Sequence, residues 1–162
     1  MIDSNDTIAA IATAPGVGAI SIVRLSGVHS FEIADRYFEC SGVKPSLRAA
    51  NTFTRGYPLA ETDNNSQGRV LDEVIMLVYR APHSYTREHV VEFQGHGGAI
   101  CAQRILRKLL ANGARLAEPG EFTRRAFLSG RIDLMQAEGV ADLISAKTNR
   151  AATAAIEQAT GQ

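Results

Sequence analysis

The sequence predicts an α+β chain built in two regimes, and three observations carry that expectation. Up to about residue 118, short β-branched runs alternate with glycines and turn signals, and two amphipathic helical segments interrupt them. From Glu118 to the end, Ala-rich helical spacing runs almost unbroken. Between the two, Glu118 to Leu134 reads as a junction. We therefore expect one strand-containing domain over 1–118 and an all-helical segment over 119–162.

The first domain opens with a hairpin-like pair, Thr7 to Thr13 and Ala19 to Ser26, turned by Ala14-Pro15-Gly16. Pro15-Gly16-Val17-Gly18-Ala19 has the composition of a phosphate loop, but such loops open into a helix, whereas Ile20-Ser21-Ile22-Val23 continues as a strand. A tight turn is the better reading. Ser30 to Glu39 is a short helix with Phe31, Ala34 and Phe38 on one side, followed by a loop over Ser41 to Ser46. Asn51 to Leu59 is a strand, Glu61 to Gly68 a polar connection, and Val70 to Arg80 a long apolar run read as a central strand. Asp63-Asn64-Asn65-Ser66 lacks the closing bidentate acid of a calcium loop and is read as exposed.

Pro82 to Thr86 is loop or edge, and Glu88 to Gln94 is another strand. Its alternation sets Val91 and Phe93 on one face and Val90, Glu92 and Gln94 on the other. Gly95-His96-Gly97-Gly98 turns the chain into a helix from Ala99 to Ala111, with Cys101, Ile105 and Leu109 as its core stripe, flanked by Leu106 and Leu110. Asn112-Gly113 ends it, and Ala114 to Ala117 forms a last short strand.

At the junction, Pro119 and Gly120 break the preceding segment. Glu121 then places negative charge in the first turn of a short helix, and Arg124 and Arg125 place positive charge towards its end, which suits the helix dipole. Ser129-Gly130 stops that helix. Asp133 followed by Gln136 has capping-box spacing, so the next helix begins at Leu134 and carries a stripe of Leu134, Ala137, Ala141 and Ile144. A further Ala-rich helix spans Asn149 to Thr160. Such helices bury little by themselves and are expected to pack on more polypeptide or a second subunit.

Seventeen basic and seventeen acidic residues cancel, which disfavours autonomous RNA binding and leaves only a local patch around Arg124, Arg125 and Arg131. Cys40 and Cys101 are too few and too far apart for a disulfide framework or a zinc site, and are read as reduced thiols. No run of about 18 apolar residues is present, and Asp3 and Asp6 stand where a targeting segment would be basic. A cytoplasmic, non-membrane protein is expected.

Three polar residues stand out in this framework. Arg24 shares a strand face with Ile20 and Ile22, so its guanidinium must emerge at an edge or meet an acceptor; a structural salt bridge and a ligand contact both satisfy that. Glu92 poses the same question on its own strand. His96 has no Cys, Asp or second His at partner spacing, and packing at the turn is preferred over a general base or metal ligand.

The order of motifs is more specific than any one of them. Asp6-Thr7-Ile8-Ala9-Ala10-Ile11-Ala12-Thr13-Ala14-Pro15-Gly16 is followed by Ile22-Val23-Arg24-Leu25-Ser26-Gly27, Ser84-Tyr85-Thr86, Val91-Glu92-Phe93-Gln94-Gly95-His96-Gly97-Gly98 and the long block from Gly120 to Glu138. This series resembles the N-terminal part of the MnmE (TrmE) family of tRNA-modifying GTPases over essentially the whole chain. The resemblance implies an α+β domain with a mixed sheet and packed helices, similar to the tetrahydrofolate-binding domain of glycine-cleavage T-proteins, followed by a truncated all-α segment.

It further implies binding of 5-formyl- or 5,10-methylene-tetrahydrofolate, with the family's folate contacts falling on Arg24, Glu92 and Arg131. Arg131 stands where relatives often carry Lys, Arg87 where they usually carry Gly, and Val17 where a basic residue is common. The implied partners are a second copy through the N-terminal domain, a flavin-containing subunit and tRNA, for modification of the wobble uridine. GTP, potassium and magnesium belong to a GTPase domain not in this sequence, which has no Gly-x-x-x-x-Gly-Lys-Ser/Thr run; the chain by itself is expected to bind folate without hydrolysing GTP. Two other functions stay in view: a free-standing aminomethyl or formyl transferase, which needs a second half of the fold, and a dimerisation module without folate.

Overall fold

The structure, a computed structural model, describes residues 6–40, 42–59 and 70–161. These fall into two compact units. The first comprises the described residues up to Ser84 together with Glu88–Ala117, and the second comprises Tyr85–Arg87 and the residues from Glu118 onward. The polar connection over Glu61 to Gly68, with its Asp63–Ser66 run, lies outside the described residues.

The first unit is a mixed sheet of seven described strands with two helices. In chain order these are β1 (Thr7–Ile11), β2 (Ile20–Gly27), α1 (Ser30–Tyr37), β3 (Phe38–Cys40), β4 (Thr52–Pro58), β5 (Val74–Tyr79), β6 (Val90–His96), α2 (Ala99–Ala111) and β7 (Arg115–Leu116). Across the sheet the order is β3-β4-β5-β6-β2-β1-β7, antiparallel at every pairing except β1 with β7. The predicted hairpin of β1 and β2 is present, and α2 has the expected bounds.

One face of the sheet is the core. Register aligns Ile11, Val23, Phe93 and Met76 in one cross-strand row and Ala9, Leu25, Val91 and Val78 in the next. Phe31, Ile33, Ala34 and Tyr37 of α1 and Ala102, Ile105 and Leu109 of α2 close over these rows. Apolar burial at about 25 cal/mol per Å² is the main favourable term here, and Phe93 sits at its centre, fully buried with Tyr37 and Phe38 rings 6.2 and 5.8 Å from its own.

Three expectations are corrected in this unit. Phe38 does not extend the first helix: it takes extended dihedrals and pairs with Pro58, because its ring reaches Phe93 from a strand and not from a further helical turn. Pro45 and Ser46, expected as the end of a loop, belong to one 3₁₀ turn over Pro45–Leu47. On α2 the buried residue of the first turn is Ala102, with Cys101 only half-buried, since the smaller side chain lets the helix approach the sheet.

The run from Val70 becomes a strand only at Val74, which sits one position from the middle of the sheet. Asp72 leaves the ladder and caps the end of β6 instead: its carboxylate accepts from the His96 amide at 2.9 Å and lies 2.6 Å from the His96 ring Nδ1. A Cβ on Gly95 would stand 2.4 Å from Asp72 Oδ2, so only glycine leaves room for this cap.

The second unit contains α3 (Glu121–Leu128), α4 (Leu134–Ser145) and α5 (Asn149–Thr160). Inside α3, the buried Glu121 and Arg125 pair at 3.2 Å, while Arg124 reaches Glu118 at 2.8 Å. The capping box at Asp133 is formed in both directions, with Asp133 Oδ1 accepting from the Gln136 amide and Gln136 Oε1 from the Asp133 amide. The expected α4 stripe is not the buried one: Leu134 and Ile144 are 59% and 82% exposed, and Gly139 is the residue that α5 covers. The smallest side chains bring the two backbones together, and a Cβ at Gly139 would lie 2.6 Å from the Ala159 amide nitrogen.

Gly139→Ala is accordingly expected to destabilise α4 and α5 by about 1–3 kcal/mol through overpacking against backbone, more than alanine's helix propensity returns. Urea denaturation followed by helical circular dichroism measures this, and a stabilised variant would refute the close approach. The cap at His96 generates a pH dependence. The hydrogen bond to Asp72, and then the charges of Asp72 and Glu73, raise the imidazole above its ordinary 6.5. A proton held more tightly in the folded state stabilises fully below the unfolded value and progressively less as pH rises through the folded one. The difference in melting temperature between the parent chain and His96→Gln should be widest near about pH 5.5 and narrow by about pH 9.

Candidate functional site

The second face of the sheet carries charge in its middle. Alternation turns Val23 and Leu25 inward, so Arg24 points the other way; the same parity in β6 buries Val91 and Phe93 and turns Glu92 out of the core. The β2–β6 register then sets Arg24 directly opposite Glu92. Arg24 Nε donates to Glu92 Oε1 at 2.7 Å, with side-chain exposures of 26% and 10%. The sequence left Arg24 to emerge or find an acceptor, and the acceptor is Glu92.

The pair lies in a cross-strand row of Ala10, Arg24, Glu92, Leu77 and Phe53. The row on one side holds Ile22, Gln94 and Ile75, and the row on the other holds Ser26, Val90 and Tyr79. Towards β5 and β4 this face is open and mostly apolar: Phe53 is 72% exposed and Ile75 45%, with Arg55 paired to Ile75 at its edge and held by Glu73 at 3.2 Å. An ion pair with little water around it and an apolar shelf beside it can recognise a ligand that has paired N–H donors on one edge. A carboxylate offers about four acceptor sites, more than one guanidinium uses, and charge-assisted bonds to it are the strong ones.

Arg131 belongs to the second unit. It follows the left-handed Gly130 that ends α3, and its guanidinium lies 4.8 Å above the Tyr85 ring, whose hydroxyl meets Thr123 Oγ1 at 3.0 Å. Arg87, from the same loop as Tyr85, donates to the Ser129 carbonyl at 3.1 Å. Arg131 is thus held by an aromatic face instead of an acid, which leaves its charge uncompensated by a carboxylate in that contact.

Structure brings Arg24 and Glu92 together, and it assigns His96 to the cap on β6. A cavity of about 590 Å³ lies elsewhere, between the Thr13–Gly18 segment and the start of α2. Its lining includes Ile11, Pro15, Val17, Ile20 and Ala102 and no titratable side chain, so size alone does not mark the chemistry. The segment between Ile11 and Ile20 joins two strands and opens no helix, which excludes the phosphate loop; it is a longer open loop and not the tight turn expected, with no turn hydrogen bond across Pro15–Gly18 among the described residues. Sequence reasoning missed Tyr79; the period-two pattern of Ile75, Leu77 and Tyr79 was visible, but only the register shows that this face is Glu92's. Among the described residues no group of three or more His, Cys, Asp or Glu is placed to hold a metal, and no helix is long and apolar enough to cross a membrane.

Comparison with known proteins identifies the family. Residues 7–131 match the family model described as "GTP-binding protein TrmE N-terminus", a span that includes Arg24, Glu92 and Arg131. The chain is 55% identical over 156 residues to a protein of Listeria innocua named tRNA modification GTPase MnmE, covering 96% of this chain and 33% of that protein. Proteins of the same name from Geobacillus kaustophilus and Symbiobacterium thermophilum are 54% and 51% identical, over 97% and 96% of this chain and 33% of their own length. The chain therefore spans about a third of the length of the curated relatives it matches. With the family model matching most of the chain and relatives above half identity covering nearly all of it, this chain belongs to the MnmE/TrmE family, as its N-terminal domain.

Proposed function

We propose that this chain is the folate-holding and dimerising portion of a GTPase that modifies the wobble uridine of tRNA. The observation that carries the proposal is the Arg24–Glu92 pair, in register on the open sheet face and on two of the positions to which the family resemblance assigns folate. Glu92 accepts the adjacent N–H donors of a pterin, and Arg24 orients that carboxylate through its 2.7 Å contact. Arg131 supplies a cation for the anionic benzoyl-glutamate tail, and its Tyr85 platform keeps the guanidinium extended. Bound 5-formyl- or 5,10-methylene-tetrahydrofolate brings the one-carbon unit. In this reading the fold is that of the glycine-cleavage T-protein folate domain, residues 1–118 form the folate and dimerisation domain, and residues 119–162 open a helical domain. GTP hydrolysis, the flavin-containing subunit and tRNA belong to the whole cytoplasmic assembly.

Exposed Phe53 and Ile75 on the same sheet face favour a second function for it, contact with a second copy of the chain. Dimers that persist without folate affinity would support a dimerisation module alone.

Isothermal calorimetry with 5-formyltetrahydrofolate tests the folate reading. Removing one partner of a desolvated charge pair costs about 2–5 kcal/mol, so Glu92→Ala is expected to abolish measurable binding; unchanged affinity would sink the assigned site. Arg131→Ala should weaken folate binding by about tenfold, equivalent to roughly 1.4 kcal/mol, with little change in melting temperature. A large drop in melting temperature with folate affinity intact would instead make Arg131 a structural residue of the second unit.

A further inference from the structure

On the reading of Glu92 as the acceptor for a heterocyclic edge, we propose that Tyr79 is the stacking residue of this site, with Leu77 as its apolar floor. The site then selects a flat heteroaromatic head and not merely any ligand with paired N–H donors.

Three observations converge on this role. β5 pairs with β6 so that Leu77 faces Glu92 and Tyr79 faces Val90, which sets Tyr79 diagonal to Glu92 on the same side of the sheet. Diagonal neighbours across antiparallel strands are about 7–8 Å apart, within reach of an aromatic side chain. Tyr79 is half-buried, unlike Phe53 two strands from Glu92, which is largely exposed. Its hydroxyl also senses the pair: burial first, and then the Glu92 charge, push the phenol up, while Arg24 pulls it down. The ring is therefore inside the field of the same two groups that would hold the ligand's edge.

The geometry gives the two parts separate tasks. Glu92 lies in the sheet's central row and presents acceptors, and these fix a ligand edge in one plane. A planar ring held by that edge extends over Leu77, since β5 is the neighbour of β6 on the side away from Arg24. Tyr79, one pair further along β5, borders that ring with its own π-face. Aromatic pairs of this kind are worth about 0.5–1.5 kcal/mol beyond the area they bury, or roughly two- to tenfold in affinity.

Calorimetry with two probes separates the parts: 5-formyltetrahydrofolate, which has the heterocyclic head, and p-aminobenzoyl-glutamate, which lacks it. Tyr79→Leu is expected to lower folate affinity by about three- to tenfold and to leave p-aminobenzoyl-glutamate binding unchanged, while Tyr79→Phe keeps parental affinity for both. Folate affinity unaltered in Tyr79→Leu, with Glu92→Ala still abolishing binding, overturns the stacking role and spares the site. Equal losses for both probes also overturn it, because they mark a general disturbance of the sheet. Glu92→Ala binding folate normally would remove the underlying site and the stacking role with it.

Discussion

Arg24 and Glu92 stand directly opposite each other only if β2 and β6 pair in a single register. In that register Val23 meets Phe93 and Leu25 meets Val91 in the core, while guanidinium meets carboxylate on the other side. A slip of one residue exchanges the faces, sending a cation towards α1 and α2 and an isoleucine row into the core's place. Leaving either charge buried without its partner costs about 3–5 kcal/mol, on the scale of a domain's whole stability. The ion pair thus works as a register lock, whatever it also binds.

Much of the first unit follows from that lock. Once β2 and β6 are aligned, β5 is constrained on the far side by Val78 meeting Val91 and Met76 meeting Phe93. The core rows then offer α1 and α2 one continuous apolar surface, and the opposite face is left with a charged centre and an apolar flank. Asp72 finishes the arrangement at the end of β6, where it holds both the amide and the ring of His96. Because the pair also sets the register, a variant that breaks it must be judged on folding and on binding separately.

The second unit obeys a different rule. Its helices carry few large apolar side chains towards one another, and α4 meets α5 through Gly139, Ala155 and Ala159. Close backbone approach replaces bulk as the source of packing, which leaves Leu134, Met135, Ile144 and Ile156 exposed. Arg131 and Tyr85 are joined in this unit by a cation–π contact, a link between distant positions that neither helical spacing nor charge counting reveals.

The sequence by itself determined the local structure wherever one strong signal acted alone. The capping box at Asp133, the bounds of α2 and α5 and the strand faces of β2 and β6 were all legible, because capping, helical period and strand alternation act within a few residues. Motif order went further and pointed to the family, and through it to Arg24, Glu92 and Arg131 as candidates. Tertiary structure alone decided that Phe38 leaves the helix for a strand, that Asp72 caps β6, that Gly139 and not Leu134 is the buried residue of α4, and that Tyr79 borders Glu92. Each of these depends on which strand or helix lies alongside. Partners on different strands and helices are chosen by register and packing, and no local pattern in the chain encodes that choice.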